Sequence, residues 1–188
     1  MKQHRIETDR LVLRPFALSD AAEVQRLAGD EEIAYNALNI PSPFTTATAE
    51  QWITGSLEEY REGRAASFAV TLRPGDSLIG AVGLSIDETN LRAEMGYWID
   101  KTLWGRGYAS EAAEAVMRYG FEELALNRIY ASCLKRNPAS GRVLRKIGMS
   151  LEGCLRQHVR RSGSFEDLEE YGILIEEYIA RRIRKQVE

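Results

Sequence analysis

The stretch that decides the fold is "WIDKTLWGRGYASEAAEAVM", residues 98–117. A strand is predicted to end near Asp100, and the alanine-rich run after Gly107 is predicted to be helical because its apolar residues recur at helical spacing. Glycines such as Gly105 allow the backbone to approach a ligand closely, and a helix N-terminus offers unpaired N–H groups to an anion. The order strand, glycine turn, helix therefore favours a phosphate site, although a lone Gly-x-Gly also serves as a plain helix entry.

Periodicity on either side of this stretch predicts the order βααβββαβαββ. The predicted strands cover residues 6–16, 68–72, 78–85, 93–99, 128–134, 151–160 and 167–175, and the helices begin near residues 19, 48, 109 and 138. A loop over 36–48 carries Pro41 and Pro43. This order predicts an α/β (α+β) domain in which helices flank a mixed, mostly antiparallel seven-stranded sheet with one central β-α-β crossover. We expect one domain over residues 1–188, since no linker or repeat divides the chain.

Composition excludes several classes of protein. Two cysteines and two histidines form no C-x-x-C pair and no metal-ligand cluster, so we expect no metal. No apolar run is long enough to cross a bilayer, and the N-terminus has no apolar signal core, so a cytoplasmic protein without a membrane partner is expected. A net charge of −3 argues against bulk nucleic-acid binding.

The charge is unevenly distributed along the chain. Nine basic residues and a single acid, Glu152, lie between Arg128 and Arg161. A solvated basic face explains this segment, and so does a site for a polyanionic ligand such as a phosphorylated cofactor. RNA or DNA binding by this segment is a weaker third interpretation.

Two common phosphate motifs do not fit the glycine turn. A dinucleotide site requires G-x-G-x-x-G/A and an acidic residue at the end of the next strand. Here Ser110 takes the third glycine place, and the next strand runs into Lys135-Arg136-Asn137 without an acid. A P-loop would require a following Gly-Lys-Ser/Thr, which is missing. What remains is a pyrophosphate bound in the middle of an antiparallel α/β chain.

At this point the sequence resembles the GNAT superfamily of acyl-CoA-dependent N-acetyltransferases, most closely the RimJ/RimL-like branch of ribosomal-protein alanine N-acetyltransferases. The resemblance covers nearly the whole chain and is carried by several motifs in the family's order. They are "TDRLVLRPFALSDAAEVQRL" (8–27), "PSPFTTATAEQWI" (41–53), "AEMGYWIDKTLWGRGYASEA" (93–112), "NPASGRVLRKIGM" (137–149) and "FEDLEEYGIL" (165–174).

The resemblance implies a coenzyme A site made mainly of backbone. The glycine loop would bind the pyrophosphate, the fourth strand would pair with the amide-rich pantetheine arm, and Asn137 would bind pantetheine besides capping its helix. Trp98 and Trp104 are equally well explained as packing residues. The implied cofactor-binding residues are Met95, Tyr97, Trp98, Ile99, Gly105, Arg106, Gly107, Tyr108, Ala109, Ser110, Asn137 and Ser140.

The chain departs from the family pattern at two positions. Thr102 stands where an Arg or Gln usually precedes the glycine loop, and Leu144 stands where a tyrosine often protonates the leaving thiolate. Ser140 is then the nearest hydroxyl to act as proton donor. A thiol, with a pKa of about 8.5, is a good leaving group and does not require a strong acid.

The nucleophile would be an amine, and Glu94 is the carboxylate expected to orient and deprotonate it. An α-amine with a pKa near 7.7–8.0 is roughly a tenth neutral at pH 7, so one base suffices. Glu94 is also explicable as a solvent-facing strand residue. By their place in the matched segments, five residues are expected to line the acceptor side: Glu32, Tyr35, Asn36, Asp167 and Tyr171.

The sequence therefore predicts an enzyme that moves acetyl from acetyl-CoA directly to a primary amine, without an acyl-enzyme at Cys133 or Cys154. The acceptor is a small molecule or a protein N-terminus, and a homodimer is one assembly left open. The alternative is a non-catalytic acyl-CoA-binding or regulatory protein of the same fold, which the missing tyrosine keeps open.

Overall fold

A computed structural model of the protein describes residues 5–38, 40 and 44–187, with only the backbone described for 185–187. It contains one eight-stranded sheet and six α-helices within these residues. The strands are β1 (Ile6–Glu7), β2 (Leu11–Arg14), β3 (Ala65–Leu72), β4 (Leu78–Asp87), β5 (Arg92–Ile99), β6 (Arg128–Leu134), β7 (Ser150–Arg161) and β8 (Ser164–Leu174). The helices are α1 (Ala21–Ala28), α2 (Glu31–Asn36), α3 (Thr46–Arg61), α4 (Tyr108–Glu122), α5 (Pro138–Ile147) and α6 (Ile175–Val187).

The sheet has the order β1-β2-β3-β4-β5-β6-β8-β7. Every neighbouring pair is antiparallel except β5 and β6, which are parallel and joined by α4. The predicted mixed sheet with a single central β-α-β crossover is confirmed. That crossover carries the glycine turn, and it lies at the middle of the sheet.

The predicted number of strands was one too low. The segment 6–16, expected as one strand, is a hairpin in which β1 pairs with β2. Its turn is closed by Thr8, whose N–H donates to the Leu11 carbonyl at 3.0 Å and whose hydroxyl accepts from the Leu11 N–H at 3.0 Å. A threonine that bonds the local backbone in this way interrupts a strand that alternation alone would continue.

Two helices were not predicted. Helix α2 begins after Asp30, whose carboxylate accepts from the N–H groups of Glu32 and Ile33 at 2.9 and 3.2 Å, as an N-cap residue does. Helix α6 covers residues after the last predicted strand, for which no helix was predicted. Helix α3 begins at Thr46, slightly earlier than predicted, and Pro41 and Pro43 lie outside the described residues.

Two apolar cores hold helices to opposite faces of the sheet. Alternation along β3 divides the two cores, because Phe68 and Val70 face α4 and α5 whereas Ala69 faces α1 and α3. The first core is the larger one and includes Met95 and Met117. The sheet therefore has a helix layer on each side, and any opening between β5 and β6 connects the two layers.

Among the described residues no helix is long and apolar enough to cross a membrane.

Candidate active site

The central feature of the site is a gap between β5 and β6. These strands pair only at Arg92–Arg128, Ala93–Ile129 and Glu94–Tyr130. Beyond Glu94, β5 stays paired with β4 as far as Ile99, whereas β6 follows β8 as far as Leu134. The strands separate into a V, and the cleft there has a volume of about 860 Å³. The edge of β5 from Met95 to Ile99 is thus exposed to an extended ligand.

The glycine turn lies on the β5 side of the V and has a backbone conformation that favours glycine. Gly105 and Gly107 have φ values of 75° and 84°. Gly107 is the N-cap residue of α4, and no side chain caps this helix. The first N–H groups of α4 therefore face the cleft, together with the positive end of its dipole. This arrangement fits a diphosphate.

Arg10, on the turn before β2, braces this loop from behind. Its guanidinium donates to the Arg106 carbonyl at 3.0 Å, pairs with Glu111 at 2.6 Å and covers the Tyr108 ring at 4.6 Å. Thr8 donates to the other Glu111 oxygen at 2.6 Å. Burial alone would raise the pKa of Glu111, but the hydrogen bonds from Thr8 and Arg10 lower it, so the carboxylate stays ionised. No sequence pattern indicated that Thr8 and Arg10 support the loop, because they lie about a hundred positions from it.

Helix α5 borders the β6 side of the V. Asn137 is its N-cap residue, and its side-chain oxygen accepts from the Ser140 N–H at 3.3 Å. The Tyr97 hydroxyl lies 2.8 Å from Ser140 Oγ and 3.3 Å from the Ser140 carbonyl. Burial raises the pKa of Tyr97 above its usual value, so the phenol keeps its proton. Two hydroxyls, one on each side of the V, are therefore joined by a hydrogen bond. Leu144, which stands where the family often has a tyrosine, is fully buried and has no hydroxyl to offer.

Glu94 stands where the two strands separate. It is half-buried, and burial followed by the charge of Glu170 raises the pKa of its carboxyl above the ordinary range. Among the described residues that line the cleft, Glu94 is the only acid. A carboxylate with a raised pKa at the point of the V can accept a proton near neutral pH.

The structure brings nearly all of the expected cofactor residues to this cleft. Eleven of the twelve line it: Met95, Tyr97, Trp98, Ile99, Gly105, Gly107, Tyr108, Ala109, Ser110, Asn137 and Ser140. Arg106 does not line the cleft. Its carbonyl accepts a hydrogen bond from the Arg10 guanidinium. Glu94 and Asn36 also line the cleft.

Two of the expected acceptor residues on α2 do not line the cleft. Glu32 pairs with Lys101 at 2.7 Å. Tyr35 donates to Glu166 at 2.7 Å while the Arg136 guanidinium lies 3.6 Å over its ring. Both side chains tie α2 to neighbouring segments instead.

Nor do the two expected acceptor residues on β8 line the cleft. Asp167 accepts from the Gln157 N–H at 2.9 Å and pairs with Lys135 at 3.3 Å. Tyr171 is fully buried; its hydroxyl donates to Glu169 and accepts from Arg145, both at 2.7 Å. Strand alternation directs Tyr171 into the core under α5 rather than into the V.

The basic residues of the segment 128–161 differ in their surroundings. Arg128, Lys135 and Arg136 pair with the acids Glu152, Asp167 and Glu166. Arg142 and Lys146 are exposed and line the cleft, and their i, i+4 spacing on α5 places them on one face. Both belong to the basic segment for which the sequence suggested a polyanionic ligand. Within the described residues no group of histidine, cysteine and carboxylate side chains is suited to a metal ion.

Sequence comparison identifies the family. The profile described as "Acetyltransferase (GNAT) domain" matches residues 10–150. An N-acetyltransferase named p20 from Bacillus licheniformis is 34% identical over 173 residues, which cover 91% of this chain and 96% of that protein. The ribosomal-protein-serine acetyltransferase of Escherichia coli K12 is 30% identical over 125 residues, 66% of this chain and 69% of that protein. The chain therefore belongs to the GNAT acetyltransferase family.

Solved structures agree with this assignment. A GNAT-family acetyltransferase from Bacillus anthracis is 29% identical, with a TM-score of 0.82, and covers 92% of this chain and 99% of its own. RimL, a ribosomal L7/L12 α-N-protein acetyltransferase in complex with coenzyme A, shares the fold with a TM-score of 0.85 at 23% identity, over 93% of this chain and 99% of its own. The protein is therefore an acetyl-CoA-dependent N-acetyltransferase of this family.

Proposed function

We propose that this enzyme transfers acetyl from acetyl-CoA directly to a primary α-amine, such as the N-terminus of a peptide. The enzyme is a single domain and acts in the cytoplasm. The observation that carries the proposal is the V between β5 and β6, which brings the N-terminus of α4, the Tyr97–Ser140 pair and Glu94 to one cleft. An acetyl-CoA bound there supplies the acetyl group as a thioester. The relative from Escherichia coli named as a ribosomal-protein-serine acetyltransferase supports a protein acceptor.

Some residues of the cleft bind the cofactor, and others transfer protons. The N–H groups of 105–110 hold the diphosphate, and the backbone of Met95–Ile99 pairs with pantetheine as an added strand. One N–H of this strand polarises the thioester carbonyl. Glu94 attracts the ammonium and accepts its proton, directly or through one water. As the C–S bond breaks, Ser140 passes a proton to the departing thiolate and regains one from the nitrogen of the tetrahedral intermediate, so that coenzyme A leaves as the thiol.

An acceptor panel tests the proposal. Purified protein with acetyl-CoA is offered tripeptides with a free N-terminus, the same tripeptides with a formylated N-terminus, and a free lysine side chain, and products are scored by mass. We expect acetylation of the free α-amine only, because a lysine ε-amine with a pKa of about 10.4 is scarcely neutral at pH 7. Acetylation of side chains alone would contradict the proposal.

The Tyr97–Ser140 pair is expected to contribute modestly to turnover. When the Tyr97 hydroxyl donates to Ser140 Oγ, the serine proton is left to point into the cleft. We expect Ser140→Ala to lower kcat by less than tenfold with unchanged acetyl-CoA affinity, below the roughly 10² to 10⁴ of full general acid catalysis, because a thiolate leaves readily. Tyr97→Phe should affect the same serine proton. The kcat of the double variant Tyr97→Phe/Ser140→Ala should therefore be little lower than that of Ser140→Ala alone. A thousandfold lower kcat for Ser140→Ala would contradict this prediction and show that Ser140 is essential.

Arg142 and Lys146 are expected to attract the phosphates of coenzyme A. We expect the double variant Arg142→Gln/Lys146→Gln to bind acetyl-CoA about fivefold more weakly at low salt, and the difference to shrink at high salt as the Debye length falls below about 8 Å. Calorimetry at two salt concentrations measures this. The control, Arg156→Gln/Arg160→Gln on β7, removes the same charge outside the cleft and should bind normally. Equal losses in both double variants would assign the effect to net charge alone.

A further inference from the structure

The cleft extends beyond Glu94 into a part that coenzyme A recognition does not explain. It continues over the face of the sheet that α1, α2 and α3 cover, and its wall there is largely apolar. That wall consists of Val24, Ala28, Ile33, Ile40, Phe44, Trp52, Ala81 and Trp98, which we call the apolar wall. The polar residues beside it are Asn36, Thr48, Gln51, Ser67 and Ser85, and no charged side chain of the described residues lines this part.

The floor between Glu94 and the apolar wall is made of glycine. Gly96 on β5 lies opposite Gly83 on β4, and a Cβ added to Gly96 would meet nothing within 4 Å. Glu94, Gly96 and Trp98 lie on the same face of β5 because side chains alternate along a strand. Gly96 lies between the other two, about 7 Å from each along the strand. A substituent attached next to an amine that Glu94 holds has open room as far as the wall.

The aromatic part of the wall is held in place by the second core. The Trp52 ring packs edge-on against Phe16 at 4.8 Å and 75°, yet the residue is 37% exposed. Trp98 and Phe44 pack against the same core and line the cleft as well. The chain thus fixes several aromatic surfaces at a cavity that its own side chains do not fill, which is the usual character of a ligand pocket.

Charge limits the acceptor further. A polyamine carries two or more ammonium groups, and the described lining offers a single carboxylate, Glu94. A second ammonium would have to leave water for the apolar wall without a partner, which is unfavourable. An amine with one positive charge has no such difficulty.

We propose that the acceptor is a monoamine with a bulky apolar substituent beside its amine, such as a peptide that begins with leucine or phenylalanine. Glu94 holds the amine, and the apolar wall receives the side chain. This inference rests on the proposed function and names the substrate class of the same site. It predicts discrimination by the first side chain rather than by the rest of the peptide.

The test compares tripeptides that differ only in the first residue: Leu-Gly-Gly and Phe-Gly-Gly against Ser-Gly-Gly and Asp-Gly-Gly, with spermidine as a polycation. We expect kcat/KM for the leucine and phenylalanine peptides to exceed that for the serine peptide by at least tenfold, as hydrophobic pockets discriminate. Equal values, or a preference for spermidine, would overturn the inference while leaving amine acetylation intact.

Variants of the wall make the test specific. Trp52→Ala should reduce the leucine-over-serine ratio at least fivefold, whereas Phe165→Ala, an exposed aromatic on β8 outside the cleft, should leave it unchanged. Gly96→Ala, which the open space permits, should impair the phenylalanine peptide more than the serine peptide. A ratio insensitive to both Trp52→Ala and Gly96→Ala would overturn the inference.

A binding measurement separates failure of the inference from failure of the proposed function. All three tryptophans of the chain line the cleft, so their fluorescence should respond to an acceptor. With coenzyme A present, Leu-Gly-Gly should quench at a concentration at least tenfold lower than Ser-Gly-Gly. Quenching without product would contradict the proposed function alone, and equal quenching by both peptides would contradict the inference alone.

Discussion

Gly107→Val is expected to weaken acetyl-CoA binding by roughly two orders of magnitude, equivalent to about 2.7 kcal/mol. Gly107 has a φ of 84° and is the N-cap residue of α4. A branched side chain there opposes the left-handed conformation that turns the N–H groups toward the cleft. A Cβ at this position would also lie 3.4 Å from the Arg10 guanidinium that braces the loop. The strained backbone should move the N–H groups proposed to bind the diphosphate, and calorimetry with acetyl-CoA measures the loss.

Gly163→Val is the matched control for this substitution. Gly163 has a φ of 87° in the turn between β7 and β8, and its added Cβ would meet nothing within 4 Å. It therefore introduces similar backbone strain away from the cleft. Both variants should lower the melting temperature, but only Gly107→Val should lose affinity. Normal acetyl-CoA binding by folded Gly107→Val would remove this loop from the site.

The cofactor half of the cleft could be predicted because its parts are local in sequence. Residues 105–110 and Asn137 act through backbone and capping geometry, which follow from a few neighbouring residues. Arg106 is the exception in this segment, since its carbonyl is engaged by Arg10 from another part of the chain. A loop residue can thus belong to a phosphate motif while its side chain stays outside the cleft.

The acceptor half could not be predicted in the same way, because it depends on distant contacts. The position of Tyr35 is set by Glu166, 131 residues away along the chain. Tyr171 lies opposite Ala131 in the sheet, and the register between β6 and β8 decides which face it takes. A shift by one residue reverses that face, and alternation within one strand does not reveal the register. A helix that begins near residue 48 was predicted, but the exposure of Trp52 to the cleft depends on how α3 packs against β3 and α1.

Glu94→Gln is expected to lower kcat/KM for a peptide α-amine by roughly a hundredfold near pH 7, the lower end of the range for general acid–base catalysis. Glutamine keeps the shape and hydrogen bonding of glutamate but removes its charge and basicity. Acetyl-CoA affinity should not change, because the contacts proposed for the cofactor are made by 105–110, Asn137 and the edge of β5. Burial and Glu170 raise the pKa of Glu94, so the folded protein holds this proton more tightly than the unfolded chain does. Ionisation of Glu94 at neutral pH therefore opposes folding, and the glutamine variant should melt no lower than the wild type.

A pH–rate profile of the wild type and the variant decides whether Glu94 is the base. The wild type should lose kcat/KM as the pH falls through the raised pKa of Glu94, whereas the variant should lack this limb. The difference between the two should shrink at pH 9, where an α-amine with a pKa near 7.7–8.0 is mostly neutral and needs no base. Glu170→Gln supplies the control, because removing its charge should lower the pKa of Glu94 and move the wild-type acid limb to lower pH. If the profiles of wild type and Glu94→Gln superimpose, Glu94 has no part in the chemistry and the amine loses its proton elsewhere.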